Sequence, residues 1–446
     1  MVSRLLFVSM LALVLGACNN EPKVIEEDDE LTILIKKHSP TKSADWYIMP
    51  ESNDFANIPN QDPTNKITAA KVELGKLLFF ETGIGINSLN PELRETYSCS
   101  TCHIPEKSFT PGRFQGIADG GMGFGHLGDG RLKNPAYQGT EVDAQGARPL
   151  PTINLAYVKN ALWNGAFGAN GMNASFKDVF GKADPLTDIN FKGLEGLEAN
   201  NHRALIVHRQ EIKKELMDYL GYTPMFDAAF PDVPAAERYT LQIAANAIAA
   251  YFRTIYTNQA PFQRWLKGDE SALSEAQKRG ATLFYGKAGC INCHNSPSFN
   301  GQRFAALGVK DLDQNGYEVF KTSDGRAKGR GGFTLRDEDL YKFKVPQLYN
   351  LKDVSHYFHG ASKTNLKAVV QYFNHAIPEN ERVEKGRIDP LFIPLGLTDQ
   401  EVDDLTEFLT NGLYDPNLIR YKPSQVMSGN CFPNNDLTSQ LDMGCK

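Results

Sequence analysis

Seven cysteines stand in the 446-residue chain, at 18, 99, 102, 290, 293, 431 and 445, and four of them fall into two copies of one pattern. Cys99-Ser-Thr-Cys102-His103 and Cys290-Ile-Asn-Cys293-His294 both read Cys-x-x-Cys-His. Two thiols at this spacing reach both vinyl groups of one porphyrin, and the adjoining imidazole turns onto the iron, so the pattern reads as attachment of a c-type haem. Zinc would need four ligands around one ion, usually close in sequence, whereas these motifs are far apart and each brings its own histidine. A disulfide within each pair would leave both histidines without a role. Two covalent haems are therefore expected, with Cys99, Cys102, Cys290 and Cys293 as thioether donors and His103 and His294 as iron ligands. Cys431 and Cys445 are expected to pair with each other, pinning a Gly- and Asn-rich tail, as an exported compartment allows.

These groups need elements to hold them. Leu74-Gly-Lys-Leu-Leu-Phe-Phe80 precedes the first motif and Arg279-Gly-Ala-Thr-Leu-Phe-Tyr285 the second, each ending a segment with helical spacing of apolar residues. Ser274 with Gln277 is a capping-box start for the second of these helices. The echo continues downstream. Pro151-Thr-Ile-Asn-Leu155, Trp163-Asn-Gly-Ala and Ser175 to Phe180 have counterparts in Val345 to Leu351, Phe358-His-Gly-Ala361 and Leu366 to Val370. Tyr239 to Tyr256 is an Ala- and Ile-rich helix candidate, and Thr398 with Glu401 caps a last amphipathic helix through Leu409. Alternating strand patterns are few. The expected class is mainly α, with two cytochrome c-like haem domains and long loops, divided at 56–265 and 266–425 and followed by a tail over 426–446.

Charged residues at 22% and hydrophobic ones at 41% describe a folded chain, and a formal charge of −6 gives no electrostatic footprint for nucleic acid. No apolar run approaches the ~18 residues of a spanning helix. Met1 to Ala17 has the layout of an export signal, with Arg4 ahead of the apolar stretch Leu5 to Leu15. Leu15-Gly16-Ala17-Cys18 resembles the bacterial lipobox, which implies cleavage before Cys18 and a lipid on that cysteine. An acidic tether is then expected over 18–55, because Glu26-Glu27-Asp28-Asp29-Glu30 has little apolar surface to bury. The address this implies is the periplasm or the cell surface, lipid-anchored to a bacterial membrane.

Over Ile58 to Asp415 the chain resembles the bacterial di-haem cytochrome c peroxidases, together with the related di-haem enzyme that matures methylamine dehydrogenase. The resemblance is carried by Val72 to Phe80, Cys99 to His103 with Ser108-Phe109, Leu162-Trp163-Asn-Gly165, Val207-His-Arg209, Leu283 to His294 and Tyr357-Phe-His-Gly360. It implies a peroxidatic haem in the N-terminal domain, an electron-transfer haem in the C-terminal one, and Trp163 as the bridge between them. Hydrogen peroxide is the implied substrate and a small cytochrome or copper protein the implied donor. The alternatives are oxidation of a partner protein's side chains by the same haem pair, and a plain di-haem electron carrier. A homodimer is left open. His126, between glycines 123, 125 and 128, resembles the mobile distal histidine of some peroxidases. Glu198 in Gly-Leu-Glu-Ala best matches the acid-base glutamate, with Glu195 as runner-up.

Two departures from the family pattern stand out. Calcium between the domains is partly bound by an asparagine shortly before the Pro-Thr pair in the family, and here Ala147-Arg148-Pro149 fills that region, leaving calcium little to bind it. The sixth ligand of the C-terminal haem is a methionine or tyrosine fourteen residues after the histidine of Tyr-Phe-His-Gly, and here that position is Phe373. The options are an open or water-bound site, His375, Tyr372, or a methionine brought back by the tail, Met427 being the next in sequence. His359, the motif histidine itself, either touches a haem pocket or shapes a turn.

Overall fold

A computed structural model describes residues 29–139, 141–315 and 325–445. Cys18 and the expected leader lie outside the described residues. Thirteen α-helices are seen among those described. They begin with α1 (Glu30–His38), α2 (Ala69–Phe80), α3 (Gly196–Val207), α4 (Lys214–Leu220), α5 (Thr223–Ala229), α6 (Ala235–Arg238) and α7 (Leu241–Thr254). The rest are α8 (Pro261–Leu266), α9 (Glu275–Tyr285), α10 (Arg330–Thr334), α11 (Leu366–His375), α12 (Asp399–Glu407) and α13 (Leu437–Met443). Strand is confined, among the described residues, to two short antiparallel ribbons: β1 (Gly121–Met122) with β2 (Leu132–Lys133), and β3 (Phe304–Ala305) with β4 (Phe343–Lys344). The mainly α expectation holds, and long stretches between helices are irregular. None of the described helices is long and apolar enough to cross a membrane.

The two halves repeat one packing device. In the first, α2 and α3 lie along α7, whose small residues Ala244, Ala245, Ala247 and Ala249 are fully buried. In the second, α9 lies along α12. A β-carbon at Gly75 of α2 would stand 2.0 Å from the Ala247 carbonyl oxygen, and one at Gly280 of α9 would stand 2.1 Å from that of Asp404. Each glycine lets two helix backbones touch, and both sit in the segment that leads into a haem motif. The starts are as the residues predict: Ser274 and Gln277 form the capping box of α9, and Thr398 and Glu401 that of α12. Helix α12 ends in a wider turn, Phe408–Gly412. The downstream echo is looser, since Leu366 starts a helix while Ser175 to Phe180 holds only the short turn Lys177–Val179.

The termini cross between the halves, and of the tether expected over 18–55 residues 18–28 lie outside the described residues while the rest is folded. From Asp29 onward the chain is folded: Asp29 caps α1 by accepting from Thr32 N–H at 2.7 Å, and Leu31 and Ile35 enter the core of the second half with Tyr47, Met49 and Ile58. Asp29 and Glu30, the last two of the acidic residues that suggested a solvated tether, act instead at a helix N-terminus, where negative charge is favoured. The tail makes the reverse journey. Leu418, Tyr421 and Val426 belong to the core of the first half, Phe432 packs edge-on against Phe80, and a Cys431–Cys445 disulfide closes the segment, as expected.

Candidate functional site

The first haem motif is one tight turn. Ser98 N–H donates to Thr101 Oγ1 at 3.0 Å across Cys99–Thr101, and the hydroxyls of Ser98 and Thr101 both donate to the Pro433 carbonyl of the tail, at 3.0 and 3.1 Å. His103 Nδ1 lies 3.0 Å from the Phe109 carbonyl oxygen. In the second motif His294 Nδ1 lies 2.6 and 3.1 Å from the carbonyls of Phe299 and Pro346. A carbonyl only accepts, so Nδ1 carries the proton in both rings and Nε2 keeps its lone pair for a metal. Burial pushes both imidazoles down to about 4, which holds them in the neutral, iron-binding form. The four motif thiols form no disulfide, and burial pushes Cys99, Cys102 and Cys290 up to about 12, so they remain protonated thiols.

Around the first motif the chain leaves a polar cradle. Gln210, just beyond the end of α3, accepts from Cys99 Sγ at 3.8 Å, and a β-carbon at Gly116 would stand 2.4 Å from Cys102 Sγ. Gln210 Nε2, Gln115 Oε1 and Arg113 Nε are buried without a hydrogen-bond partner among the described residues. Such orphaned atoms are costly in a folded protein unless a ligand satisfies them. Arg148, itself buried, donates to the Arg113 carbonyl at 2.8 Å, and His208 Nδ1 meets Asp143 Oδ2 at 2.6 Å. Thiols, an anchored imidazole and unsatisfied polar atoms beside them fit a covalently held haem.

Around the second motif the surroundings are apolar. Arg303 donates to Cys293 Sγ at 3.2 Å and pairs with Asp389. The chain then runs through Leu307 and Val309 into a cluster of Phe358, Tyr372, Phe373, Phe392 and Ile388. Tyr372 donates its hydroxyl to the Leu307 carbonyl at 2.7 Å, and Phe373 packs at 5.7 Å from Phe392. His375, one of the expected options for the iron ligand, is not part of this wall. It shares the exposed stripe Lys367, Gln371, His375 of α11, opposite the stripe of Leu366, Val370 and Phe373. Met427 lies in the tail against Gly221, on the first half of the molecule, so the tail does not bring its sulfur to the second motif.

Between the motifs stands Trp163. Its Nε1–H donates to the Arg148 carbonyl at 2.7 Å, its own carbonyl accepts from Lys344 N–H at 2.7 Å, and its ring meets His359 edge-on at 6.2 Å. His359 stacks on Phe343 at 3.6 Å, pairs with Asp311 at 2.9 Å, and accepts at its carbonyl from Arg148 N–H. It is thus a residue of the contact between halves. Arg330 donates to the carbonyls of Asn164 and Gly165, and beside it burial pushes the Lys344 ammonium down to about 7. A cation so placed would be relieved by a nearby anion such as a haem carboxylate.

Two expected groups lie elsewhere. Glu198 is fully buried in the first turn of α3, where Arg253 of α7 grips both carboxylate oxygens at 2.5 and 2.8 Å and Asn65 donates to one of them at 2.9 Å. At 1.5 Å per residue it is roughly 15 Å along the helix from the end that meets Cys99. In this structure Glu198 ties α3 to α7. Glu195, the runner-up, accepts from Asn170 at 2.8 Å near the same end. His126 is exposed at a cleft of about 310 Å³ also lined by Phe80, Pro105, Phe432 and Met443. Its loop is not loose, since Asp436 accepts from Gly123 N–H, Asp442 from Phe124 and Gly125 N–H, and Asp129 from His126 N–H. Sequence reasoning passed over His208 and Asp143. The only local signal is the Val207-His-Arg209 motif.

The family model for di-haem cytochrome c peroxidase matches residues 69–271. A cytochrome-c peroxidase, IdrP1, of Denitromonas iodatirespirans is 30% identical over 77% of this chain and 82% of its own. The methylamine utilization protein MauG of Methylorubrum extorquens is 28% identical over 80% of this chain and 81% of its own. In fold, the chain is similar to a MauG-like protein associated with microbial copper homeostasis, with a TM-score of 0.56 and 23% identity over 83% of this chain and 96% of that one. With its paired motifs, duplicated helix packing and a relative 30% identical over most of its length, the chain belongs to the di-haem cytochrome c peroxidase family.

Proposed function

We propose that the protein reduces hydrogen peroxide to water at the Cys99–His103 site, with electrons entering one at a time at the Cys290–His294 site from a small cytochrome or copper protein. The observation that carries this reading is Trp163, whose indole bridges the Arg148 carbonyl of the first half and the His359 ring of the second. When bound, haem supplies the redox chemistry, and the protein supplies ligands, orientation and exclusion of water. His103 and His294 hold the irons, Cys99, Cys102, Cys290 and Cys293 hold the porphyrins, and Trp163 offers a delocalised ring along the path. Calcium is not part of this reading, because Ala147-Arg148-Pro149 supplies no asparagine to bind it.

We extend the same reading to the address. Cleavage before Cys18 and lipid on that residue would hold the enzyme at a bacterial membrane facing the periplasm or the cell exterior, with a homodimer as one assembly to test. Peroxide turnover by protein matured with a haem-attachment system, supplied with a reduced small cytochrome or copper protein, tests the function. Turnover together with a denatured mass carrying two haems is expected. A second reading, oxidation of a partner protein's side chain, is favoured by the wall at Phe373, which offers no methionine sulfur to the second haem. Stable oxidation of the haem pair by peroxide without turnover of any small donor would select it.

A further inference from the structure

This inference rests on the peroxide reading above. Breaking the O–O bond calls for a group beside the first haem that takes a proton from one peroxide oxygen and returns it to the other. Glu198 does not serve, being locked to Arg253 at the far end of α3. At the near end, four polar residues, His208 to Glu211, follow in sequence. Gln210 reaches Cys99 but has no proton to exchange at neutral pH, and Glu211 is occupied with Ile212 N–H and the Asn87 amide. His208 is different. Its Nδ1 is bound to the buried Asp143 carboxylate at 2.6 Å, an anchor that fixes the ring and leaves the proton exchange to Nε2.

The setting is rigid. Asp143 N–H donates to the Asp119 carbonyl, and its own carbonyl accepts from Ala118 N–H, both at 2.9 Å. Arg209, in the left-handed region at φ 54°, turns the chain sharply after His208 and pairs with Asp119, so its charge is met within the same loop. His208 is also the C-terminal cap of α3, with its N–H donating to the Ala204 carbonyl at 2.8 Å, and a helix C-terminus favours the imidazolium that forms when the ring accepts a proton. The pair lies near enough to the haem motif to act on it: the His208 charge disfavours protonation of His103, and Asp143 raises the Cys102 thiol as it does the Tyr97 phenol.

We propose that His208, braced by Asp143 as its positioning residue, is the proton relay of the first haem site. His208 accepts the proton of the oxygen nearer the iron and delivers it to the farther oxygen, which leaves as water when the O–O bond breaks. The relay ends as it began. The two electrons come from the haem pair, and one further proton pair from solvent completes the second water.

The test uses the haem-loaded protein and two ligands. Cyanide reaches the iron as HCN and must give up its proton on binding, without electron transfer, so its association rate reads the relay apart from peroxide chemistry. His208→Gln is expected to slow both cyanide association and reaction with peroxide by roughly 10²–10⁴, the span of general acid-base catalysis, with haem content and ferric absorption spectrum unchanged. Asp143→Asn should slow both by a smaller factor, and Glu198→Gln, where it folds, neither. Wild-type rates for both ligands in His208→Gln, or slowing by Glu198→Gln equal to that by His208→Gln, would overturn the assignment. Wild-type protein that binds cyanide in a His208-dependent manner but turns over no peroxide would retain the relay and remove the peroxide reading.

Discussion

His103 and His294 are held alike, each giving Nδ1–H to backbone carbonyls while burial keeps the ring neutral, yet the surroundings of the two motifs part company. Around the first stand Arg113, Gln115, Gln210 and the His208–Asp143 pair, and the tail clasps the turn from outside. Around the second, an arginine on the thiol gives way to a wall of phenylalanines. A polar cradle with exchangeable protons suits a site where bonds break. An apolar wall suits a site that only passes electrons, because little must reorganise when charge changes. Two copies of one five-residue motif thus acquire different surroundings from residues that are distant in sequence.

The largest test of this contrast removes one attachment site at a time. Cys99→Ser with Cys102→Ser, and separately Cys290→Ser with Cys293→Ser, should each lower the denatured mass by one haem. The first pair should abolish reaction with peroxide and cyanide. The second should leave cyanide binding in place and stop sustained turnover, and the reverse pattern would exchange the roles of the two sites.

A smaller effect probes the clasp that only the first site has. Cys431→Ser opens a loop with a sequence separation of 14, worth about 3 kcal/mol by loop-closure entropy. The expected outcome is a lower melting temperature with faster hydrogen exchange at Gly123 to His126, while amides near Phe299 keep their rates. Equal loosening at both motifs would show that the tail serves the whole fold.

The smallest expected effect lies at the second site. His375→Ala should change stability by no more than about 0.5 kcal/mol and leave the spectra of both haems as they were, because the side chain sits on the exposed stripe of α11. The oxidised protein should also lack a near-infrared Fe–Met band. Loss of a low-spin signal in the variant would return His375 to the iron.

Much of this was legible in the residues, because the chemistry concerned is local. Cys-x-x-Cys-His specifies its haem within five residues, the capping boxes at Ser274 and Thr398 act over three, and apolar spacing of 3.6 marks a helix wherever it occurs. The paired motifs, the main helices and the Cys431–Cys445 bridge were all readable at that range. Only the tertiary structure decided what depends on residues brought together from afar. Glu198 looked like a proton shuttle until Arg253, from another helix, took both its oxygens. His375 looked like a ligand until the packing of α11 turned it outward. Asp29 and Glu30 looked like tether until Leu31 and Ile35 found a core in the opposite half of the chain. A sequence states which side chains can ionise, ligate or pack. Which partner each one meets is settled by the free energy of burying the whole chain at once, and a charge goes where its counter-charge and its neighbours' apolar surface allow.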